Sequence, residues 1–325
     1  MDASRLHRRS LAMAVACAAL LSAAAQAGNF SVVYKVSGIK PPQPAEEPSN
    51  FKAHTFTTCG ATLGTGPSLA ACKSAYAATD WATDPSKFSV LHDGSPAQGI
   101  QVWSVPVTGT YRIEAAGASR TPTNNNAEGK GAVISGEFSL QKGQRLLVMV
   151  GQHHPSWPYS GVGGSFVVNE ENLSPLIVAG GAGGLSGYGT GRSCATSDAA
   201  FTSSGRSGCG TGMTSGGSNG LAGVSGVGIA GAGMKGDSNT GNQNLRAYSF
   251  LTVYNGGQAQ SQAFGGGGSY VNSSGVSSGG GGGYSGGGTG ENGGGGGGSY
   301  NTGANPLRIG YNPIGNNGYV TVTRL

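Results

Sequence analysis

From Ile100 onward apolar and polar positions alternate in short runs separated by turn residues. The runs are Ile100–Val105, Gly109–Ala115, Ala132–Leu140, Arg145–Val150, Ser165–Val168 and Leu176–Ala179. Pro106, Thr108 and Gly109 fill one gap and Lys142-Gly143 another, which is the spacing of an antiparallel sandwich or jelly roll. Tyr248–Tyr254 and Val320–Leu325 read as two later strands, and Phe51–Thr58 as an earlier one. Between Phe51 and the first run, Thr65-Gly66-Pro67 reads as a helix start with Pro67 in the first turn. Leu69, Cys72 and Tyr76 then fall on one face. Upstream, Phe30, Val32 and Tyr34 alternate within Gly28–Val36, a strand or loose arm, before the proline-rich break Pro41–Pro48.

Glycine changes this picture beyond Gly180. The chain of 325 residues holds 64 glycines, and 15 of the 20 residues from Gly279 to Gly298 are glycine, so side-chain packing cannot order this stretch. Such a tract is ordinarily a flexible linker. Against that reading, Gly-Gly-Gly-Gly-Ser-Tyr occurs twice, ending at Tyr270 and Tyr300, with Tyr284 between them, and an alternating strand follows. The ordered alternative is a set of polyglycine-II helices, left-handed with three residues per turn, packed through backbone amides with the three tyrosines as wedges against the sandwich. There is no Gly-X-Y period with proline, which rules out a collagen triple helix.

Arg5, Arg8 and Arg9 precede the apolar run Leu11–Ala25, and Ala25-Gln26-Ala27 fits the small-x-small site of a secretory signal peptide. The competing reading acylates Cys17 as a lipoprotein, but Ala14 stands where leucine is expected. Cleavage after Ala27 removes three arginines and Asp2, lowering the formal charge from +5 to +3. No later segment approaches the ~18 apolar residues of a membrane span. The expected organisation is a signal peptide at 1–27, an arm and linker at 28–50, a disulfide-stapled strand and short N-terminal α-helix at 51–99, and a glycine-rich β domain at 100–325. The mature chain is expected to be secreted, extracellular or at the cell surface.

Four cysteines remain after cleavage, and an even count in an exported chain reads as disulfides. Of three possible connectivities the simplest closes two short loops, Cys59 with Cys72 and Cys194 with Cys209. The gaps are too long for a zinc ligand pair. His153-His154 would need a loop and further ligands to share a metal, and Asp80, Asp84 and Asp93 lack the spacing of a calcium loop. No metal or cofactor is expected.

Gly216–Gly220 and Gly283–Gly287 match the Gly-x-Ser-x-Gly pattern of hydrolases, yet no histidine follows either serine. Gly226–Gly231 and Gly231–Gly236 match a dinucleotide fingerprint without a helix pattern after them. Charged residues make up only 10% of the chain, which is no nucleic-acid footprint. The expected class is therefore non-catalytic. The segment His153-His154-Pro155-Ser156-Trp157-Pro158-Tyr159 is the expected exposed contact loop, its prolines stiffening a backbone that offers Trp157 and Tyr159. The bland alternative folds Trp157 back over the sheet.

Val105-Pro106, Thr108–Ala118, Gly129-Lys130-Gly131, Leu140–Gln144, Ile177–Gly184 and Gly318–Val322 occur in an order that resembles the glycine-rich domain of the anaplastic lymphoma kinase and leukocyte tyrosine kinase receptor family. The resemblance spans roughly Ile100 to Leu325, and similar domains occur in secreted bacterial proteins. It implies a sandwich of the tumour-necrosis-factor-like kind with polyglycine helices inserted, in a region that belongs to the ligand-binding ectodomain of those receptors. Neither a kinase motif nor a transmembrane helix is found in this sequence, so phosphorylation signalling does not carry over. Two functions remain: a binding or adhesion module for an extracellular protein or glycan, or a structural component of an envelope or matrix. Strands and non-repetitive loops favour the first.

Overall fold

A computed structural model describes residues 51–120, 129–154, 159–185, 194–239, 245–257, 263–270, 277–313 and 315–325. The expected signal peptide, arm and linker at 1–50 lie outside the described residues. The strands are β1 (Ala53–Phe56), β2 (Phe88–Val90), β3 (Gln101–Ser104), β4 (Gly109–Ala116), β5 (Ala132–Leu140) and β6 (Arg145–Met149). They continue as β7 (Ser165–Asn169), β8 (Pro175–Ala179), β9 (Tyr300–Asn301), β10 (Ala304–Tyr311) and β11 (Tyr319–Arg324). All pairings are antiparallel, in a five-stranded sheet ordered β1-β11-β4-β5-β10 and a six-stranded sheet ordered β2-β3-β6-β7-β8-β9. Two helices accompany them, α1 (Leu69–Ala75) and α2 (Phe250–Tyr254).

The arrangement is sandwich-like, and the sequence pattern of each sheet reports which faces are covered. In the five-stranded sheet Tyr111, Ile113 and Ala115 of β4 and Val320 and Val322 of β11 point into the main core, while Thr110, Arg112, Glu114, Thr321 and Thr323 alternate with them on the other face. That outer face is polar. Arg112 bonds Glu137 at 2.7 Å, and the Tyr319 hydroxyl donates to Glu114 at 2.7 Å. Burial, and then the Glu114 carboxylate beside it, push the Tyr319 phenol well above the usual tyrosine range.

The six-stranded sheet has no such alternation because both its faces are buried. Trp103, Leu146, Val148, Val167, Ile177 and Ala179 enter the main core, whereas Val102, Leu147, Met149, Phe166, Val168 and Val178 meet a second apolar cluster with Met234, Phe250, Val253 and Phe264. Runs such as Leu146–Met149 are apolar throughout for this reason.

Two elements correct the sequence reading. Tyr248–Tyr254 is not a strand but ends in α2, because Ser249 caps it by accepting from the Thr252 amide and Asp237 in turn accepts from the Ser249 amide. Phe250 and Val253, three apart, then share the buried face. Pro67 stands before the first helix rather than in it: Ser68 is the N-cap, accepting from Ala71, and Asp93 accepts from the Leu69 amide. Cys72 and Tyr76 are buried as expected and Leu69 packs on the core, and Cys59–Cys72 bridges α1 to the chain just after β1. Tyr76 also donates to Gln101 at 2.8 Å, and Gln101 donates to the Thr57 carbonyl at 2.8 Å, so β3 is tied to the same corner.

Candidate functional site

Glycines from distant parts of the chain meet beside the six-stranded sheet. Successive amides of one segment donate in rotation to three neighbours. Gly279 and Gly282 donate to Tyr159 and Val162; Gly280 and Gly283 to Ile229 and Ala232; Gly281 and Tyr284 to Gly295 and Gly298. The same rotation recurs farther on, where Gly294 and Gly297 donate to Gly184 and Gly181 while Gly295 and Gly298 donate to Gly288 and Ser285. Every glycine from Gly279 to Gly298 is buried. A Cβ on Gly286 would press into the Gly231 carbonyl, one on Gly295 into that of Arg206, and one on Gly297 into that of Gly282. This region is a backbone lattice, and side chains are absent because nothing would fit. Cys194–Cys209 closes a loop along its edge.

The three spaced tyrosines sit where the lattice meets other parts of the molecule. Tyr284 and Tyr300 stack on one another, 4.3 Å between centroids and 12° apart, and both pack against the second apolar cluster. Tyr270 meets Tyr159 edge to face at 5.8 Å.

Of the expected contact loop, His153, His154 and Tyr159 are described. His154 is buried, and His153 is half-buried with its backbone amide and Nδ1 both 2.9 Å from Asn317 Oδ1. Burial, and then the nearby charges of Arg120 and His153, hold the His154 imidazole below the usual histidine range. These histidines are therefore part of the packing rather than an exposed surface. Tyr159 is half-buried on Tyr270, and Trp157 lies outside the described residues.

A different surface has the form of a recognition site. The chain crosses from one sheet to the other between β9 and β10, and Asn301 fixes this corner by donating to the Ser135 carbonyl at 2.8 Å and accepting from the Gly303 amide at 2.9 Å. Alongside the corner runs the segment 196–207. Two adjoining depressions of about 410 Å³ each lie between them, sharing Phe201 and Arg308. Pro306, Leu307 and Tyr300 line one, and Arg206 with Thr196 the other. Tyr311 lies 5.0 Å from the Phe201 ring centroid, and the Arg308 guanidinium lies over the same ring at 5.6 Å. Leu307, Ile309 and Tyr311 are 53%, 51% and 37% exposed.

Sequence reasoning missed this groove because β10 is broken up by its own residues. Asn305 has φ 48° and Gly310 φ 142°, Pro306 lies between, and the register with β5 shifts twice. The alternation of Leu307, Ile309 and Tyr311 was the available signal. Among the described residues no cluster of three or more histidine, cysteine or acidic side chains is placed to hold a metal ion.

No family model matches the chain. It is 34% identical over 99 residues to the leukocyte tyrosine kinase receptor of Mus musculus, a match that takes in 30% of this chain and 10% of the receptor. The chain thus covers about a tenth of that relative's length, and the match supports the resemblance carried by the glycine-rich motifs.

Proposed function

We propose that this chain is a non-catalytic extracellular binding module, in which a glycine lattice stiffens a sandwich so that the β9–β10 corner can hold a protein or glycan partner. The observation that carries the reading is the groove itself: a half-buried aromatic, two arginines and exposed apolar side chains on the bulged strand β10. Large rigid side chains that lose little entropy on contact are favoured anchors at interfaces. The partial likeness to a receptor supports an extracellular setting, as do two disulfides; among the described residues no helix is long and apolar enough to cross a membrane. Export through the 1–27 signal peptide, with Gly28 as the first mature residue, belongs to the same proposal.

The finer architecture is proposed on similar grounds. A three-residue rotation of amide partners is what a left-handed helix with three residues per turn produces, so the glycine segments read as polyglycine-II helices inserted into a tumour-necrosis-factor-like sandwich, with Tyr270, Tyr284 and Tyr300 wedged at its margin. A purely structural role in a matrix is the weaker reading, since it gives no reason for the open groove.

A glycan array and a cell-surface pull-down with the mature protein test the function. We expect ligands retained by the native chain to be lost by the variant Arg308→Gln, whose side chain is exposed, at an unchanged melting temperature. Equal retention by both proteins would remove the groove from consideration and return attention to the Trp157 and Tyr159 loop.

A further inference from the structure

β10 ends the five-stranded sheet, with β5 on one side and no strand on the other among the described residues. An edge of this kind presents unpaired amides and carbonyls and is a template for another strand. Its accompanying side chains define what would fit. Leu307 and Ile309 offer apolar contact, Phe201 floors the adjoining depression, and Arg206 and Arg308 bring positive charge to it. No carboxylate lines either depression, and among the described residues neither arginine is in an ion pair. Arg206 donates to the Ala195 carbonyl at 3.2 Å, a neutral partner that leaves its charge uncompensated.

Two candidate strands can be compared on this edge. A second copy of β10, paired antiparallel about Arg308, would set one guanidinium opposite another, which destabilises a cross-strand pair. The bulges between Ala304 and Leu307 and between Arg308 and Gly310 would also interrupt any long self-pairing. A short foreign segment carrying carboxylates escapes the clash of charges and needs only a few residues of pairing beside the bulges.

We propose, resting on the groove reading above, that β10 binds an acidic peptide segment in extended form, adding it as a sixth strand beside Leu307–Ile309. The peptide's carboxylates pair with Arg206 and Arg308 on the face that holds Phe201, and an intervening apolar side chain, on the opposite face, packs over Leu307. Arginine suits this role because its fork can hold a carboxylate through two parallel hydrogen bonds.

The test uses the full mature chain and fluorescent eight-residue peptides in which Glu alternates with Val, Lys with Val, or Gln with Val. A fourth peptide repeats the Glu-Val sequence with alternate backbone amides methylated. Fluorescence anisotropy should register the Glu-Val peptide, with binding weakened at least about tenfold by Arg308→Gln or Arg206→Gln and by added salt. The Lys peptide and the methylated Glu-Val peptide should bind at least about tenfold more weakly, the latter because it has the charge but cannot complete the strand. Circular dichroism melting of both variants establishes that they fold. Equal binding of the methylated peptide, or of the Lys peptide, overturns strand addition by an acidic segment. If no peptide binds while a glycan is held by the native chain and lost by Arg308→Gln, the groove stands and the peptide proposal fails. If neither glycan nor peptide responds to the variants, both fail.

Discussion

Leu146 and Gly286 are both buried, yet one is surrounded by side chains and the other by carbonyl oxygens. Around Leu146 the sandwich is held by apolar contacts that can readjust by a rotamer or a few tenths of an ångström. Around Gly286 each residue is held by directional backbone bonds to separate segments, and its space is already occupied by the Gly231 carbonyl. The lesson is that burial alone does not set tolerance. A core of side chains loses stability when atoms are removed, whereas a lattice of backbones loses it when a single atom is added.

The strongest way to break this comparison is to reverse the usual order of severity. We expect Gly286→Ala to cost more than about 4 kcal/mol or abolish soluble protein, since a methyl group must displace backbone. Leu146→Ala, a loss of three carbons from the main core, should cost about 3 kcal/mol. Chemical denaturation of both variants measures the difference, and a Gly286 variant as stable as the native chain would show that the lattice yields.

Acid should separate the two regions next. His54 sits edge to face among Phe56, Tyr76 and Trp81 with centroids 4.5 to 4.6 Å away, and burial lowers its imidazole to about 4. The unfolded chain takes up that proton near pH 6.5 and the folded chain does not, so stability is full above about 6.5 and declines as pH falls toward 4. Allowing for partial exposure, the decline is on the order of 2 kcal/mol. Urea unfolding from pH 7 to 4 should show this extra slope in the native chain and not in His54→Phe. Identical slopes would place the acid sensitivity elsewhere.

A smaller effect sharpens what the lattice clash means. Gly143, in the turn between β5 and β6, has φ 79° but open space around its Cβ position. Gly143→Ala should therefore cost only about 1 kcal/mol, the strain of a left-handed alanine. A melting curve that placed Gly143→Ala beside Gly286→Ala would mean that conformation, not space, sets the penalty.

The sandwich was legible from sequence because its strands bury side chains. Ala132–Leu140 appeared with its observed ends, and Gly109–Ala115 and Arg145–Val150 within a residue of theirs, from apolar runs and turn residues alone. Both cysteine pairings followed from short loops. β2 escaped because three residues carry no period, and α2 was misread because a five-residue apolar run suits either element until Ser249 is seen as a cap. The groove was less accessible still. Phe201 and Arg308 are far apart in the chain, and only the crossing from β9 to β10 brings them together. Asn317, which accepts from His153, gave no local sign of where those histidines belonged.

The rotation of amide partners through three neighbours also governs how the chain can change in length. Within Gly279–Tyr284 a residue and the one three places later face the same neighbour, so deleting one glycine turns every following amide toward the wrong segment. Deleting three in succession shortens the segment but restores its phase. At the level of the gene, a base change in the first or second position of a glycine codon brings in a side chain or a stop. The lattice therefore admits silent changes and whole-turn insertions or deletions far more readily than single-residue edits, and its evolution is expected to proceed in steps of nine nucleotides.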